Sequence, residues 1–194
     1  MLYSIYAEST PNPEVMKFVA NRILADKSIE VSTMAEAQGI SIAEELLKFP
    51  FVKSIYLSSN FISISKVATI EWENIAMQLR IFIADFLNEQ GIKNYTVHLK
   101  EDQTQEVNKA IEKKKEFSEK ELEIAALLEQ YIKPAVESDG GAITLKSLIG
   151  NVVTVNLRGA CSGCPSATIT LKDGIETLLK EKFHPDIEVK TDEE

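Results

Sequence analysis

The only two cysteines of this chain lie in the stretch RGACSGCPSAT, residues 158–168. Cys161 and Cys164 are separated by two residues, with glycines at 159 and 163 and a proline at 165. A CxxC pair can ligate a metal ion or a cluster, can cycle between dithiol and disulfide, or can be an incidental packing pair. The remaining residues must supply the ligands or the setting that separates these hypotheses.

Counting ligands narrows the metal hypotheses. Structural zinc needs four ligands, and this end of the chain offers the two cysteines and His184, so zinc within one chain is disfavoured. An iron–sulfur cluster also needs four ligands, of which one chain supplies two thiolates. Two copies related by a two-fold axis would supply four. A zinc-bridged dimer and a thiol–disulfide oxidoreductase stay open as alternatives, although the usual βαβ setting of a thioredoxin-like dithiol is absent.

The composition is typical of a folded protein, and the sequence has neither the clustered positive charge of a nucleic-acid-binding protein nor the long apolar run of a membrane span. The chain has 194 residues, of which 44% are hydrophobic and 26% charged, and its net charge is −9. Binding to nucleic acid requires clustered positive charge, and a membrane span requires a long apolar run. The N-terminus MLYSIYAEST has no signal-peptide pattern, which predicts a cytoplasmic protein. In such a reducing compartment a close cysteine pair is more often metal-binding or redox-active than a disulfide.

Residues 1–99 carry the patterns of an α+β domain. Period-two alternation predicts a strand in LYSIYAE and a β-hairpin in FVKSIYLSSNFISISK, and helical spacing predicts a long helix in WENIAMQLRIFIADFLNEQG. In SIAEELLKFP we expect a shorter helix in which Ser41 is the N-cap, Glu44 completes a capping box and Pro50 ends the helix. YTVHL is a candidate edge strand.

A charged segment at 100–120 predicts a linker to a second domain at 121–190. SEKELEIAALLEQYIKPAVES predicts a helix capped by Ser118 and kinked or shortened at Pro134. Its predicted apolar stripe comprises Leu122, Ala125, Leu128 and Ile132. A DGG turn, a hairpin about Gly150, a helix from Pro165 and a short strand follow, which gives the order α-β-β-α-β. We therefore expect two small α/β-sandwich-type domains, of α+β class, joined by the linker.

This order places the cysteines on a loop between a strand and a helix. Pro165 suits the first turn of that helix, and the N–H groups at its start favour a thiolate at Cys164. The flanking glycines allow close approach of the backbone to whatever the sulfurs hold. We therefore expect an exposed loop that presents both sulfurs outward.

Two parts of the sequence resemble known domains. Residues 121–190 closely resemble the C-terminal domain of NifU, which the Nfu proteins share, through YIKPAVESDGGAITL and GNVVTVNLRGACSGCPSATITLKDGIE. Residues 1–90 resemble the Nfu N-terminal domain, through ESTPNPEVMKF, FPFVKSIYLSSNFISISK and WENIAMQLRIFIADF. The resemblance covers both domains and leaves out only the linker and the tail.

The resemblance implies an iron–sulfur cluster scaffold or carrier, which is not an enzyme and has no catalytic residues. Such a protein holds a labile cluster, [4Fe–4S] in preference to [2Fe–2S], between the cysteine pairs of a homodimer and transfers it to apo-proteins. Cys161 and Cys164 fall on the two ligand positions of the family. The DGG turn at 139–141 matches a family motif to which we assign a structural role. The implied partners are apo iron–sulfur proteins and cluster-assembly proteins, and the N-terminal domain is expected to recognise partners.

Overall fold

The computed structural model of the chain describes residues 2–89, 117–162 and 165–192, with side chains from residue 168 onward in the last range. The chain divides into two compact units, Met1–Lys114 and Lys115–Glu194, each with its own sheet and hydrophobic core. The predicted α+β class with two domains is confirmed. The predicted edge strand at 95–99 and most of the predicted linker lie outside the described residues. No helix in the described part of the chain is long and apolar enough to cross a bilayer.

Within residues 2–89, the first unit contains a five-stranded antiparallel sheet and two helices. Its strands run in the order β1-β2-β5-β4-β3. They are β1 (Ile5–Ser9), β2 (Val15–Ala20), β3 (Ile29–Val31), β4 (Val52–Ser58) and β5 (Phe61–Lys66), and the helices are α1 (Ser41–Leu46) and α2 (Trp72–Glu89). Strands β4 and β5 form the predicted hairpin, with Ser59 in the left-handed region at φ 47°. Neither β2 nor β3 is among the predicted elements.

Helix α2 packs one face on this sheet. Ile75, Leu79, Ile83 and Leu87 recur every fourth residue and are all buried. Full burial of such side chains contributes roughly 1.5–3 kcal/mol each. The long helix predicted from periodicity is therefore confirmed, and Gly91, its predicted end, lies outside the described residues.

The predicted start of helix α1 is wrong. Ile40 is the N-cap, and no side chain caps the helix. Ser41 is already the first helical residue, so its hydroxyl is not in the capping position. The carboxylate of Glu44 instead accepts a hydrogen bond from the Gly39 N–H at 2.9 Å. The helix also ends earlier than predicted, at Leu46.

The second unit has the predicted α-β-β-α-β order around a three-stranded sheet, β6-β7-β8. Its first helical region has three segments: α3 (Glu119–Leu127), a π-helical turn (Leu128–Ile132) and α4 (Lys133–Ser138). Strands β6 (Gly141–Ile149) and β7 (Val152–Gly159) pair antiparallel, and β8 (Glu188–Thr191) joins β7 in parallel after helix α5 (Pro165–Lys182). The π-helical turn precedes Pro134, which has no N–H to donate to the preceding turn.

The predicted capping box at the start of α3 is confirmed, but the predicted stripe is wrong at Leu122. Glu121 is buried, accepts hydrogen bonds from the Ser118 N–H (3.0 Å) and hydroxyl (2.9 Å), and also accepts one from the Leu148 N–H of β6 (3.1 Å). Because Glu121 faces the sheet, the core face runs through Ile124 and Leu128, and Leu122 is 56% exposed.

Candidate cysteine site

The cysteine loop begins with a tight turn at the end of β7. Gly159 has φ 63°, a conformation that glycine adopts without the strain a side chain would add. The N–H and the hydroxyl of Ser162 both donate to the Gly159 carbonyl, at 3.2 and 3.1 Å. These two hydrogen bonds fix the backbone on either side of Cys161.

The predicted turn at 139–141 packs directly against this loop. Gly140 has φ 82°, and its carbonyl accepts a hydrogen bond from the Ala160 N–H at 3.2 Å. Gly141 then opens β6 and pairs with Gly159 of β7. The sequence places the two motifs far apart along the chain, and the β6–β7 pairing brings them together.

Cys161 is buried, with 7% of its surface exposed, and it belongs to the core of the second unit. A Cβ atom built on Gly141 would lie 2.6 Å from the Cys161 Sγ, so the sulfur occupies space that the glycine leaves open. The prediction that both sulfurs point outward is therefore wrong for Cys161. The close approach of β6, which two adjacent glycines allow, explains this burial.

A small cavity of about 20 Å³ adjoins Cys161, room for about one water molecule. It is lined by Asn156, Leu157, Cys161, Ser162, Thr168, Thr191 and Asp192. Most of these side chains are polar, and the Asp192 carboxylate also pairs with the Lys146 ammonium. The cavity is far too small for an iron–sulfur cluster, so a cluster held by Cys161 needs space outside it.

Cys164 and Gly163 lie outside the described residues. Helix α5 begins at Pro165, as predicted, so Cys164 directly precedes a helix of 18 residues. Stabilisation of a Cys164 thiolate by the helix N-terminus remains a prediction, as does the pairing of the two sulfurs at one site.

His184, the third possible zinc ligand, lies exposed in the connection between α5 and β8. Its Nδ1 accepts a hydrogen bond from the Asp186 N–H at 3.2 Å. No group of three or more His, Cys, Asp or Glu side chains within 2–89, 117–162 and 165–192 could hold a metal ion.

Sequence reasoning missed the part that Gly141 plays at this site. The DGG motif indicated a turn, but no local pattern shows which side chain the second glycine will face. A hairpin register counted from the turn, where Ile149 lies opposite Val152, would set position 141 opposite position 160, and a β-bulge between Leu145 and Ser147 shifts that pairing to Gly159.

Comparison with known families assigns both units. A model described as NifU-like domain matches residues 124–190, and one described as Scaffold protein Nfu/NifU N terminal matches residues 5–90. An N-terminal domain of this type followed by a NifU-like domain defines a two-domain Nfu-type protein. The matches together cover most of the chain, and the chain belongs to the NifU-like/Nfu family.

Similar proteins carry names that describe iron–sulfur scaffolds. "NFU1 iron-sulfur cluster scaffold homolog, mitochondrial" of Drosophila willistoni is 31% identical over 192 residues, which cover 95% of this chain and 61% of that protein. The human protein of the same name is 29% identical over 186 residues, covering 95% of this chain and 69% of that protein. The chain thus spans roughly two thirds of the length of these relatives. The solution NMR structure of a NifU-like protein from Saccharomyces cerevisiae matches with a TM-score of 0.40 and 25% identity, over 52% of this chain and 87% of that one.

Proposed function

We propose that this chain is a scaffold or carrier that receives an iron–sulfur cluster, holds it on Cys161 and Cys164 of two copies, and transfers it to apo-proteins. The observation that carries the proposal is the hydrogen-bonded turn at residues 159–162 of a NifU-like domain, where Cys161 is set between a strand and a helix. The names of the relatives support the same role. The cluster is cargo, and the proposal includes no enzymatic step.

The split of the site between two chains follows from the number of ligands. A cluster takes four protein ligands, and each chain has two cysteines. The cavity beside Cys161 cannot enclose a cluster. A site between two CxxC loops provides both the ligands and the volume. The family resemblance favours [4Fe–4S] over [2Fe–2S] as the cargo, since four thiolates can hold either type.

Burial of Cys161 makes cluster uptake a conformational step. At 7% exposure, the side chain of Cys161 must turn outward before its sulfur can bridge to a second chain. The two hydrogen bonds from Ser162 to the Gly159 carbonyl hold the backbone around Cys161, so the sulfur moves outward by rotation of its side chain or by exchange of these contacts. Release returns the sulfur to the core, which favours the cluster-free state and helps a recipient with better-placed thiolates to take the cluster.

The first unit has no cysteine, so it has no thiolate for a cluster. We assign to it the recognition of partners, namely apo iron–sulfur proteins and cluster-assembly proteins, with neither nucleic acid nor membrane among them. The relatives are named as mitochondrial proteins, whereas the cytoplasmic location of this chain remains a prediction from its N-terminal sequence.

Anaerobic reconstitution with ferrous iron and sulfide tests the ligand assignment. Cys161→Ser and Cys164→Ser should each abolish the visible absorbance of the cluster, because each removes two of the four ligands in a symmetric site. His184→Ala, which alters the other candidate metal ligand of this unit, should keep the absorbance and the iron content of the wild type.

A cysteine variant that retains the full cluster would contradict the proposal. Two other results would replace it. A colourless wild-type protein that reduces disulfides with turnover would be an oxidoreductase. Zinc that co-purifies with the protein and is lost in His184→Ala or in the cysteine variants would indicate a structural metal site.

A further inference from the structure

Gly141 is a glycine because of space and not because of backbone conformation. The glycines with positive φ among the described residues are Gly39, Gly140, Gly150 and Gly159. Gly141 is absent from that group and opens a regular strand. A Cβ atom there would lie 2.6 Å from the Cys161 Sγ, 2.9 Å from the Arg158 carbonyl oxygen and 3.1 Å from the Cys161 backbone nitrogen. All of these distances are shorter than an ordinary van der Waals contact.

We propose that Gly141 is a positioning residue for Cys161. By lacking a side chain, it lets the Cys161 sulfur dock against β6, and it thereby sets how far the thiol is withdrawn from solvent before a cluster arrives. The placement of the thiol stands on the geometry alone. Its consequence for cluster uptake rests on the function proposed above.

The neighbours of position 141 differ in how easily they can move. The Arg158 carbonyl and the Cys161 nitrogen are backbone atoms at the end of β7 and in the turn stabilised by Ser162. The Sγ is the end of a side chain that can rotate about one bond. A methyl group at position 141 should therefore turn the sulfur towards the surface, and the end of β7 must also shift slightly, since the Arg158 carbonyl oxygen lies 2.9 Å from the added carbon.

The direct test is the alkylation rate of Cys161 in the cluster-free protein. In a Cys164→Ser background the reaction with iodoacetamide reports on Cys161 alone. Gly141→Ala should raise the rate about tenfold, the change expected when overpacking shifts the equilibrium between buried and displaced thiol. An unchanged or slower rate would overturn the proposal.

Two other glycines of this unit are matched controls. A Cβ atom at Gly174 in helix α5, or at Gly150 in the β6–β7 hairpin turn, would meet no atom within 4 Å. Gly150 has φ 61°, so Gly150→Ala strains the same hairpin at the end away from Cys161. Both variants should keep the wild-type alkylation rate. A rate in Gly150→Ala as fast as in Gly141→Ala would show that general destabilisation exposes the thiol, and it would overturn a positioning role.

A double-mutant cycle covers the outcome in which Gly141→Ala is poorly folded. Cys161→Ala removes the sulfur, so the melting temperature lost through Gly141→Ala should be smaller in that background. An equal loss in both backgrounds, or failure to fold in both, would mean that the Arg158 carbonyl and not the thiol requires the glycine.

Reconstitution separates this inference from the proposed function. If the wild type takes up a cluster, Gly141→Ala should take it up faster, because its thiol is already exposed. Equal or slower cluster uptake by Gly141→Ala would contradict the claim that burial of the Cys161 thiol slows cluster uptake. A wild type that takes up no cluster would refute the proposed function, and the alkylation rates would still decide the positioning role.

Discussion

Cys161 is buried because three positions that lie close to it in space are glycines. Gly140 and Gly159 have positive φ and bend the chain on both sides of the contact. Gly141 leaves room for the sulfur itself. Substitutions at these glycines should therefore change the position of the thiol without changing its chemistry, whereas substitution of Cys161 removes the thiol that is proposed as a cluster ligand.

Glu176 links helix α5 to the last strand through a carboxylate whose ionisation is favoured in the folded state. The Lys180 ammonium, at 2.5 Å, and the Val189 N–H, at 3.1 Å, hold the pKa of Glu176 below its usual value of 4.5. Its contribution to stability is present at neutral pH and is lost as the pH falls below about 4.5 through the lower folded-state pKa.

In Glu176→Gln the free energy of unfolding should therefore depend less on pH in the acid range than it does in the wild type. Urea unfolding followed at a series of pH values between about 6 and 3 should show a steeper fall in the free energy of unfolding for the wild type than for the variant. Glu181→Gln, on an exposed position of the same helix, should follow the wild type. Parallel profiles for wild type and Glu176→Gln would contradict this account of the carboxylate.

Helix α3 is held to the sheet by Glu121, which connects the cap of the helix to an N–H of β6 27 residues away. Glu121→Ala would leave the Ser118 and Leu148 N–H groups without this acceptor. We expect the free energy of unfolding to fall by about 1–3 kcal/mol, the usual cost of leaving buried donors without an acceptor. Urea denaturation followed by circular dichroism measures it.

Glu123→Ala is the matched control, since Glu123 is exposed on the same turn of α3. Its effect should stay within about 0.5 kcal/mol of the wild type. Equal effects of the two substitutions would contradict the bridging role of Glu121.

Periodicity and turn residues were sufficient to predict the long elements. The buried stripe of α2, the hairpins at Ser59 and Gly150 and the start of α5 at Pro165 are all marked locally in the sequence. The sequence pattern predicts an inward Leu122 because a leucine fits an apolar stripe. Instead, the neighbouring Glu121 lies inward, where its carboxylate accepts a hydrogen bond from the Leu148 N–H of β6. The helical pattern cannot predict this contact, because the partner is 27 residues away.

For the candidate site, the sequence predicts the chemistry but not the packing. The spacing of Cys161 and Cys164 predicts a ligand or redox pair, and this remains a prediction. The burial of Cys161 depends on β6 lying against the cysteine loop, which is a consequence of strand register. Local sequence does not show that Gly141 of β6 will face the side chain of Cys161, which comes after β7.

At the scale of the whole molecule, two units with separate cores divide the proposed work. The second unit carries both cysteines, and the first has none. Because one chain has two thiolates, the molecule that holds a cluster is proposed to be a pair of chains. Loading and dimer formation should then be one event, and removal of the cluster should separate the chains.

Native mass spectrometry of a mixture tests this central claim most directly. Wild type and a mass-shifted Cys161→Ser/Cys164→Ser variant are combined in equal amounts and reconstituted anaerobically. We predict that the cluster mass appears only on dimers of two wild-type chains, at one cluster for each dimer. A cluster on a single chain, or on a dimer that contains the cysteine-free variant, would contradict the account.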